Sequence, residues 1–90
     1  MYSIQYSNRF RKDVRICAKR GLDITKLQKV VQLLQETGNL PQQYKPHKLV
    51  SDYAGCWECH VQPNWLLVWE QNDDELILLF TRTGTHSDLF

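Results

Sequence analysis

The sequence predicts an α+β fold in which a β-α-α-β-β-β chain forms an antiparallel sheet, with an N-terminal helical hairpin packed on one face. Apolar residues recur at helical spacing in the first half of the chain, whereas three strand-like apolar runs separated by turn residues fill the second half. The chain has 90 residues, of which 42% are hydrophobic. That length is sufficient for one core and too short for two, so we expect a single domain over residues 1–90.

The first half begins with a short strand and continues with two helices. The alternating string "YSIQYS" is typical of a strand, and Ser7 is a suitable N-cap for a helix that runs to about Arg20 before Gly21 ends it. Asp23 is placed to cap a second helix, which Gly38 ends. Because each helix has one apolar face, the hairpin must pack against the rest of the chain.

The second half supplies the sheet that the helices need. After the polar loop "NLPQQYKPHKLVSDYAG", the runs "CWECHV", "WLLVWEQ" and "ELILLFTRT" predict three strands. The last two are separated by "NDD", a cluster of turn formers at hairpin length. These strands therefore form an antiparallel meander.

The net charge of +1 conceals a strong asymmetry. From Met1 to Lys29, eight Lys or Arg residues stand against two acids, which gives +6, whereas from Cys56 to Phe90 one Arg stands against six acids, which gives −5. A basic helical half suits a polyanion such as RNA. A solvated helix face explains the same charges equally well, so composition alone does not decide.

The string "GCWECHV" contains C-x-x-C-H, the spacing that attaches a c-type haem. On a strand, however, Cys56 and Cys59 point to opposite faces, so they cannot bind one ion together without a bulge. The chain has no second C-x-x-C, and its only Met is the first residue. We therefore expect no haem, zinc or other cofactor. The alternation instead places Cys56, Glu58 and His60 on one face.

The expected location is the cytoplasm, with the cysteines as free thiols. The N-terminus has no apolar run of signal-peptide length, and "WLLVW" and "LILLF" are too short to cross a bilayer. Three cysteines, an odd number, also argue against a disulfide framework. No membrane association is expected.

Three histidines suggest chemistry on a phosphate. His47, His60 and His86 taken singly are more often structural, but Arg82 precedes His86 by four residues, and Gly84 between them would let both side chains face one cleft. Histidine moves protons near neutral pH, and arginine holds phosphate through its planar fork. This set fits metal-free RNA cleavage, in which the ribose 2′-hydroxyl attacks the adjacent phosphate.

Aromatic residues near these histidines could contact unpaired bases. Trp65 and Phe90 are candidates for stacking on a base. Partial burial of Trp65 beside the hairpin is at least as good an interpretation.

Four strings carry a family resemblance: "YSNRFRKDVR" near the start, "PHKL", "ECHVQPNWLLVW" and "TRTGTHSDLF". Together they resemble the YafQ branch of the RelE/ParE toxin superfamily across essentially the whole chain. The resemblance implies a RelE-like fold and a ribosome-dependent mRNA endonuclease. It also implies the toxin half of a type II toxin–antitoxin pair, held by a DinJ- or RelB-like antitoxin. The positions that the resemblance ties to activity are His47, His60, Trp65, Arg82, His86 and Phe90.

By this analogy, His86 is the first choice for the general acid or base, and His47 and His60 share proton transfer or phosphate contact. Arg82 would stabilise the phosphate, and Phe90 would brace a base or the catalytic loop.

Asn64 is a departure from the family pattern, because members often carry Asp there. Asn cannot act as a general base, but it can position substrate by a hydrogen bond. Lys48 is a further candidate for contact with substrate. Two other interpretations stay open, a ParE-like gyrase inhibitor and a catalytically decayed module that binds RNA or protein. The three histidines with Arg82 argue for the nuclease.

Overall fold

The computed structural model describes all 90 residues, Met1–Phe90, and confirms the α+β fold with its N-terminal helical hairpin. It adds three small elements that were not predicted: a three-residue 3₁₀ turn, a two-residue strand and a four-residue C-terminal helix. The elements in chain order are β1 (Ser3–Tyr6), α1 (Asn8–Lys19), α2 (Ile24–Thr37), a 3₁₀ turn (Gln42–Tyr44), β2 (His47–Lys48), β3 (Trp57–Gln62), β4 (Trp65–Asn72), β5 (Ile77–Gly84) and α3 (His86–Leu89).

The helix boundaries follow from the predicted capping residues. The Ser7 hydroxyl accepts a hydrogen bond from the backbone N–H of Phe10 at 3.0 Å, and the Asp23 carboxylate accepts from the backbone N–H of Thr25 at 3.0 Å. Gly38 ends α2 with a φ of 73°, a left-handed conformation that favours glycine. No helix is both long and apolar enough to span a membrane.

The five strands are ordered β1-β5-β4-β3-β2. Strands β3 to β5 pair antiparallel, as predicted, and the additional strand β2 pairs antiparallel with β3. The prediction of an entirely antiparallel sheet is wrong at β1, which pairs parallel with β5 from Ser3 opposite Ile77 to Tyr6 opposite Phe80. Parallel neighbours need a long crossover connection, and the two helices and the meander between β1 and β5 provide it.

Both faces of the sheet are covered, one by the helical hairpin and the other in part by the loop before β3 and by α3. On this second face, Leu66 and Val68 pack against Leu89, with Tyr53 and Cys56 beside them. The helix-covered face holds the larger core of Phe10, Cys17, Leu27, Val30, Leu34, Cys59, Val61, Trp65, Leu67, Trp69, Leu78 and Phe80. The second layer was not predicted, and it carries most of the candidate site.

A β-bulge in β5 determines which way Arg82 points. Arg82 pairs with Val68, but Phe80 pairs with Trp69, so Thr81 is an extra residue. Phe80 and Arg82 are two positions apart and would share a face in a regular strand, but the bulge lets Phe80 face the helices while Arg82 faces the second side. The bulge is stabilised by the Thr81 hydroxyl, which donates to the Val68 carbonyl at 3.1 Å, and by the Thr81 carbonyl, which accepts from Ser7 Oγ at 2.9 Å.

Candidate active site

The strand register places two predicted site residues in one row across four strands. His47 on β2 lies opposite Glu58 on β3, Glu58 lies opposite Val68 on β4, and Val68 lies opposite Arg82 on β5. Directly paired residues of antiparallel strands share a face, and neighbouring strands are about 4.8 Å apart, so this row is about 14 Å long. His47 and Arg82 thus lie at its two ends on the second face.

The next row brings His60 and the start of the C-terminal segment to the same face. His60 pairs with Leu66, and Leu66 pairs with Gly84, two residues before His86. The Nδ1 atom of His60 lies 3.3 Å from the Pro63 carbonyl oxygen, and its Nε2 has no hydrogen bond within the protein. His60 therefore keeps one ring nitrogen for a ligand.

His47 uses both ring nitrogens. Its Nδ1 lies 2.9 Å from the Lys45 carbonyl oxygen, and its Nε2 lies 3.1 Å from Glu58 Oε1. The His47 side chain is 48% exposed, whereas that of Glu58 is 8% exposed. The second carboxylate oxygen of Glu58 is buried and has no hydrogen-bond partner.

His86 is the first residue of α3 and is exposed. A capping box holds this short helix, in which the Thr85 hydroxyl accepts from the Asp88 backbone N–H and the Asp88 carboxylate accepts from the Thr85 backbone N–H. Arg20, at the end of α1, donates two hydrogen bonds to Asp88 at 2.5 and 3.0 Å. These bonds hold the pKa of Asp88 well below its usual range. They also fasten the backbone that carries His86.

Arg82 is bound to the protein scaffold. Its Nε donates to Asp13 at 2.7 Å, and its Nη1 donates to the Tyr53 hydroxyl at 2.9 Å. Asp13 on α1 is 4% exposed and also accepts from the Thr83 backbone N–H at 3.1 Å. The hydrogen bond to Asp13 raises the pKa of Arg82. The two Nη2 hydrogens of Arg82 point at the Asp13 carboxylate and at the Asp88 carbonyl oxygen. Of its five N–H groups, only one, on Nη1, therefore has no partner in the protein.

Tyr53 is part of the candidate site, although no sequence pattern pointed to it. It has a positive φ of 61°, uncommon for a bulky residue, and such strain is found where the surroundings fix the backbone. Its hydroxyl donates to the Leu89 carbonyl at 3.2 Å, and its ring packs edge-on against Phe90 at 5.6 Å. The Phe90 ring lies 5.0 Å from that of His86. Tyr53 therefore links Arg82 to the two aromatic rings at the C-terminus.

The structure corrects the prediction that Trp65 stacks on a base. Trp65 is 1% exposed, and its indole N–H donates to the Thr83 hydroxyl at 2.9 Å. The side chain lies in the core under the helices and is more deeply buried than the partial burial of the alternative interpretation. Phe90, which is 43% exposed, remains free to contact a ligand.

Lys48 and Asn64 lie at the edges of the predicted site. Lys48 pairs with Trp57 and its ammonium stands 5.7 Å from the centre of that ring. Because side chains alternate along a strand, Lys48 is on the opposite face from His47. Asn64 is exposed in the turn between β3 and β4, directly after Pro63.

The two cysteines of the C-x-x-C-H string do not converge. Cys59 is 0% exposed in the core under the helices, whereas Cys56 packs against Leu66 and Val68 on the second face. Burial raises the pKa of both thiols, so neither is a ready thiolate ligand. No group of three or more His, Cys, Asp or Glu side chains is arranged to hold a metal ion.

A family model described as the bacterial toxin of type II toxin-antitoxin systems, YafQ, matches residues 2–90. The chain belongs to this YafQ toxin family. It is 43% identical over 88 residues to the mRNA interferase toxin YafQ of Escherichia coli BL21-DE3, covering 97% of this chain and 94% of that protein. The fold matches YafQ in the E. coli DinJ-YafQ complex with a TM-score of 0.88, at 41% identity and with 100% and 99% of the two chains covered.

A second structure with the same fold bears on the metal question. The metal-bound toxin from Helicobacter pylori matches with a TM-score of 0.90 at 39% identity, and each chain is covered completely. Metal binding is a property of that protein as crystallised. For this chain, the expectation that neither haem nor zinc is bound stays a prediction.

Proposed function

We propose that this YafQ-family toxin is an mRNA interferase that cleaves ribosome-bound mRNA in the cytoplasm without a metal. The support is its 43% identity to an mRNA interferase toxin, together with the second face of the sheet. The observation that carries the mechanism is that His60 and His86 each keep at least one ring nitrogen free of protein partners at the end of the sheet where Arg82 and Phe90 lie.

The proposed reaction is a transesterification within the RNA. A base removes the proton of the ribose 2′-hydroxyl, and the resulting oxygen forms a bond to the adjacent phosphorus. The bond from phosphorus to the 5′-oxygen breaks, and an acid gives that oxygen a proton. The products are a 2′,3′-cyclic phosphate and a 5′-hydroxyl. His86 is our first choice for one of the two proton-transfer roles, because it is exposed on an anchored helix.

The remaining site residues would hold the RNA. Phe90 presents a half-exposed ring beside His86, and Tyr53 packs against its edge, so a base could stack there with little loss of side-chain freedom. Arg82 has one unpartnered N–H for a phosphate oxygen. Asn64 lies close to His60 in sequence and can offer a hydrogen bond.

The ribosome would supply much of the substrate alignment. Near the proposed site, Lys48 faces away, Arg9 and Arg82 are paired with Asp13, and Arg20 is paired with Asp88. Free RNA should therefore be held weakly, since phosphate contacts dominate affinity for nucleic acids. The ribosome would hold the mRNA in the correct position and so raise its effective concentration at the site.

A cognate antitoxin would restrain the toxin in its own cell. E. coli YafQ forms a complex with DinJ, and we propose a DinJ- or RelB-like partner for this chain. An acidic segment of that partner would fold against exposed basic residues of the first half of the chain.

The test uses purified toxin with ribosomes programmed by a defined mRNA. Wild type should leave 5′-hydroxyl ends, and replacement of the ribose at the cleaved position by 2′-deoxyribose should abolish cleavage. His86→Ala should lower the rate roughly a hundred-fold or more, the usual contribution of a general acid or base. Ser87→Ala, at the next exposed position of α3, is the matched control and should retain full activity.

Three results would contradict the proposal. The first is 5′-phosphate ends, the second is cleavage of the 2′-deoxy substrate, and the third is full activity of a folded His86→Ala variant. Gyrase poisoning without mRNA cleavage would favour a ParE-like activity instead.

A further inference from the structure

Glu58 is a buried carboxylate that the proposed mechanism does not use. Its Oε2 is the one buried side-chain oxygen or nitrogen without a hydrogen-bond partner, and native proteins rarely leave such atoms unpaired. Its Oε1 contacts His47 Nε2, and the residue opposite Glu58 on β4 is the apolar Val68. The imidazole of His47 is therefore the one side chain in contact with this carboxylate that can carry a compensating charge.

The hydrogen bonds of His47 constrain how many protons the pair holds. The Lys45 carbonyl can only accept, so the ring nitrogen 2.9 Å away, Nδ1, must carry a hydrogen. In a neutral ring, Nε2 would then be bare and would face the ionised Glu58 oxygen, acceptor against acceptor, at 3.1 Å. In the other neutral tautomer, Nε2 donates to Glu58, but Nδ1 has no hydrogen and faces the Lys45 carbonyl oxygen. Both contacts are satisfied only if the His47–Glu58 pair holds one proton more than a neutral imidazole beside an ionised carboxylate.

We propose that Glu58 positions His47 as an imidazolium, with both ring nitrogens protonated, so that His47 provides a fixed positive charge and does not exchange a proton with the RNA. The proton resides on the ring because a free imidazole is a stronger base than a carboxylate. This inference rests on the proposed function. It leaves the two proton transfers to His60 and His86, whose rings keep a free nitrogen.

The surroundings of the pair support this assignment. Lys45 has a positive φ of 50°, a conformation that non-glycine residues adopt where the surroundings fix it, and its carbonyl is the atom that contacts His47. Lys45 and Lys48 are the charged groups on the same segment. Both are exposed, neither hydrogen-bonds to Glu58, and Lys48 lies over Trp57 on the other face. Along β3, His60 faces the same side but bonds to Pro63, so no other cation compensates Glu58.

The first experiment reads the ring nitrogens directly. In the full chain labelled with ¹⁵N-histidine, the His47 signals, assigned with a His47→Gln variant, should show two protonated nitrogens at pH 7. In Glu58→Gln, the amide can donate to Nε2, so His47 should become neutral and keep its hydrogen on Nδ1. Glu70→Gln removes an exposed carboxylate from β4 and should leave the His47 signals unchanged.

The wild-type spectrum tests the idea even if Glu58→Gln fails to fold. A bare Nε2 in folded wild-type protein would overturn the proposal, and so would a doubly protonated His47 that persists in folded Glu58→Gln.

The second experiment asks whether His47 acts only through its charge. His47→Lys keeps a cation beside Glu58 but cannot replace a general acid or base, and it should cleave within about ten-fold of wild type on the ribosome, whereas His47→Gln should be slower than His47→Lys. A loss of a hundred-fold or more in folded His47→Lys, the size expected for a proton-transfer group, would overturn the proposal. Failure of the proposed function is distinguishable, because the ring signals can be read in a protein that cleaves nothing.

Discussion

Asp13→Asn should be strongly destabilising, although Asn is almost the same size as Asp. The Asp13 carboxylate accepts from Arg82 Nε at 2.7 Å and from the Thr83 backbone N–H at 3.1 Å, and the two side chains of the ion pair are only 5% and 13% exposed. The substitution creates no cavity. It removes the charge that compensates a nearly buried guanidinium, and it can turn an amide N–H₂ toward the Arg82 donor.

The size of the effect follows from that burial. Removing one partner of a buried ion pair costs about 3 to 5 kcal/mol, because the other charge is left uncompensated. Arg82 keeps its hydrogen bond to Tyr53 and some contact with water, so we take the lower end, about 3 kcal/mol. For a domain of this size, 1 kcal/mol shifts Tm by about 4 to 8 °C, which predicts a fall of about 12 to 24 °C.

The assay is thermal unfolding followed by circular dichroism, checked by urea denaturation with an unchanged m-value. Asp74→Asn, at an exposed position in the turn before β5, is the control and should stay within about 0.5 kcal/mol of wild type. A Tm for Asp13→Asn within 3 °C of the control would refute the reasoning. Because Arg82 and Thr83 directly precede the segment that carries His86, mRNA cleavage should also fall at temperatures where the variant is still folded.

Two further outcomes follow from the pKa shifts. Arg20 lowers the pKa of Asp88, so the stabilisation from this pair is complete above about pH 4, where a free carboxylate is ionised. It is lost as the pH falls toward the lowered pKa of Asp88. Asp88→Asn should therefore make the free energy of unfolding, measured in urea, depend less on pH at acid pH. Burial raises the pKa of all three thiols, and Cys17 and Cys59 are buried, whereas Cys56 is partly exposed. Only Cys56 should therefore react with a maleimide in folded protein. Mass spectrometry that finds more than one label would contradict this.

The parts of the fold that depend on local chemistry could be predicted from the sequence. Ser7 and Asp23 bond to backbone groups two or three residues away, so the sequence signal and the physical cause lie in the same short segment. The same is true of strand alternation, which predicted that Cys56 and His60 share a face opposite Cys59. The string "THSD" also fits a capping box, and it is the signal that could have revealed α3.

The parts that were missed depend on contacts between distant segments. Asp13 and Arg82 are separated by 69 positions, and nothing near Asp13 in the sequence distinguishes it from an ordinary surface acid on a basic helix. Tyr53 lies in a polar loop and is placed by its contacts with Arg82 and Phe90. The bulge at Thr81 reverses the alternation in β5, so the direction of Arg82 could not be read from spacing alone.

The charge asymmetry of the sequence gains a physical meaning from the ion pairs. Asp13 is one of the two acids in the basic first half, Arg82 is the one base in the acidic last segment, and they pair with each other. Arg20 and Asp88 form a second pair between the same two segments. Both pairs fasten α1 to the end of β5 and to α3, which carries His86. The one arginine in the last segment is thus largely committed to fastening α1 to the end of β5.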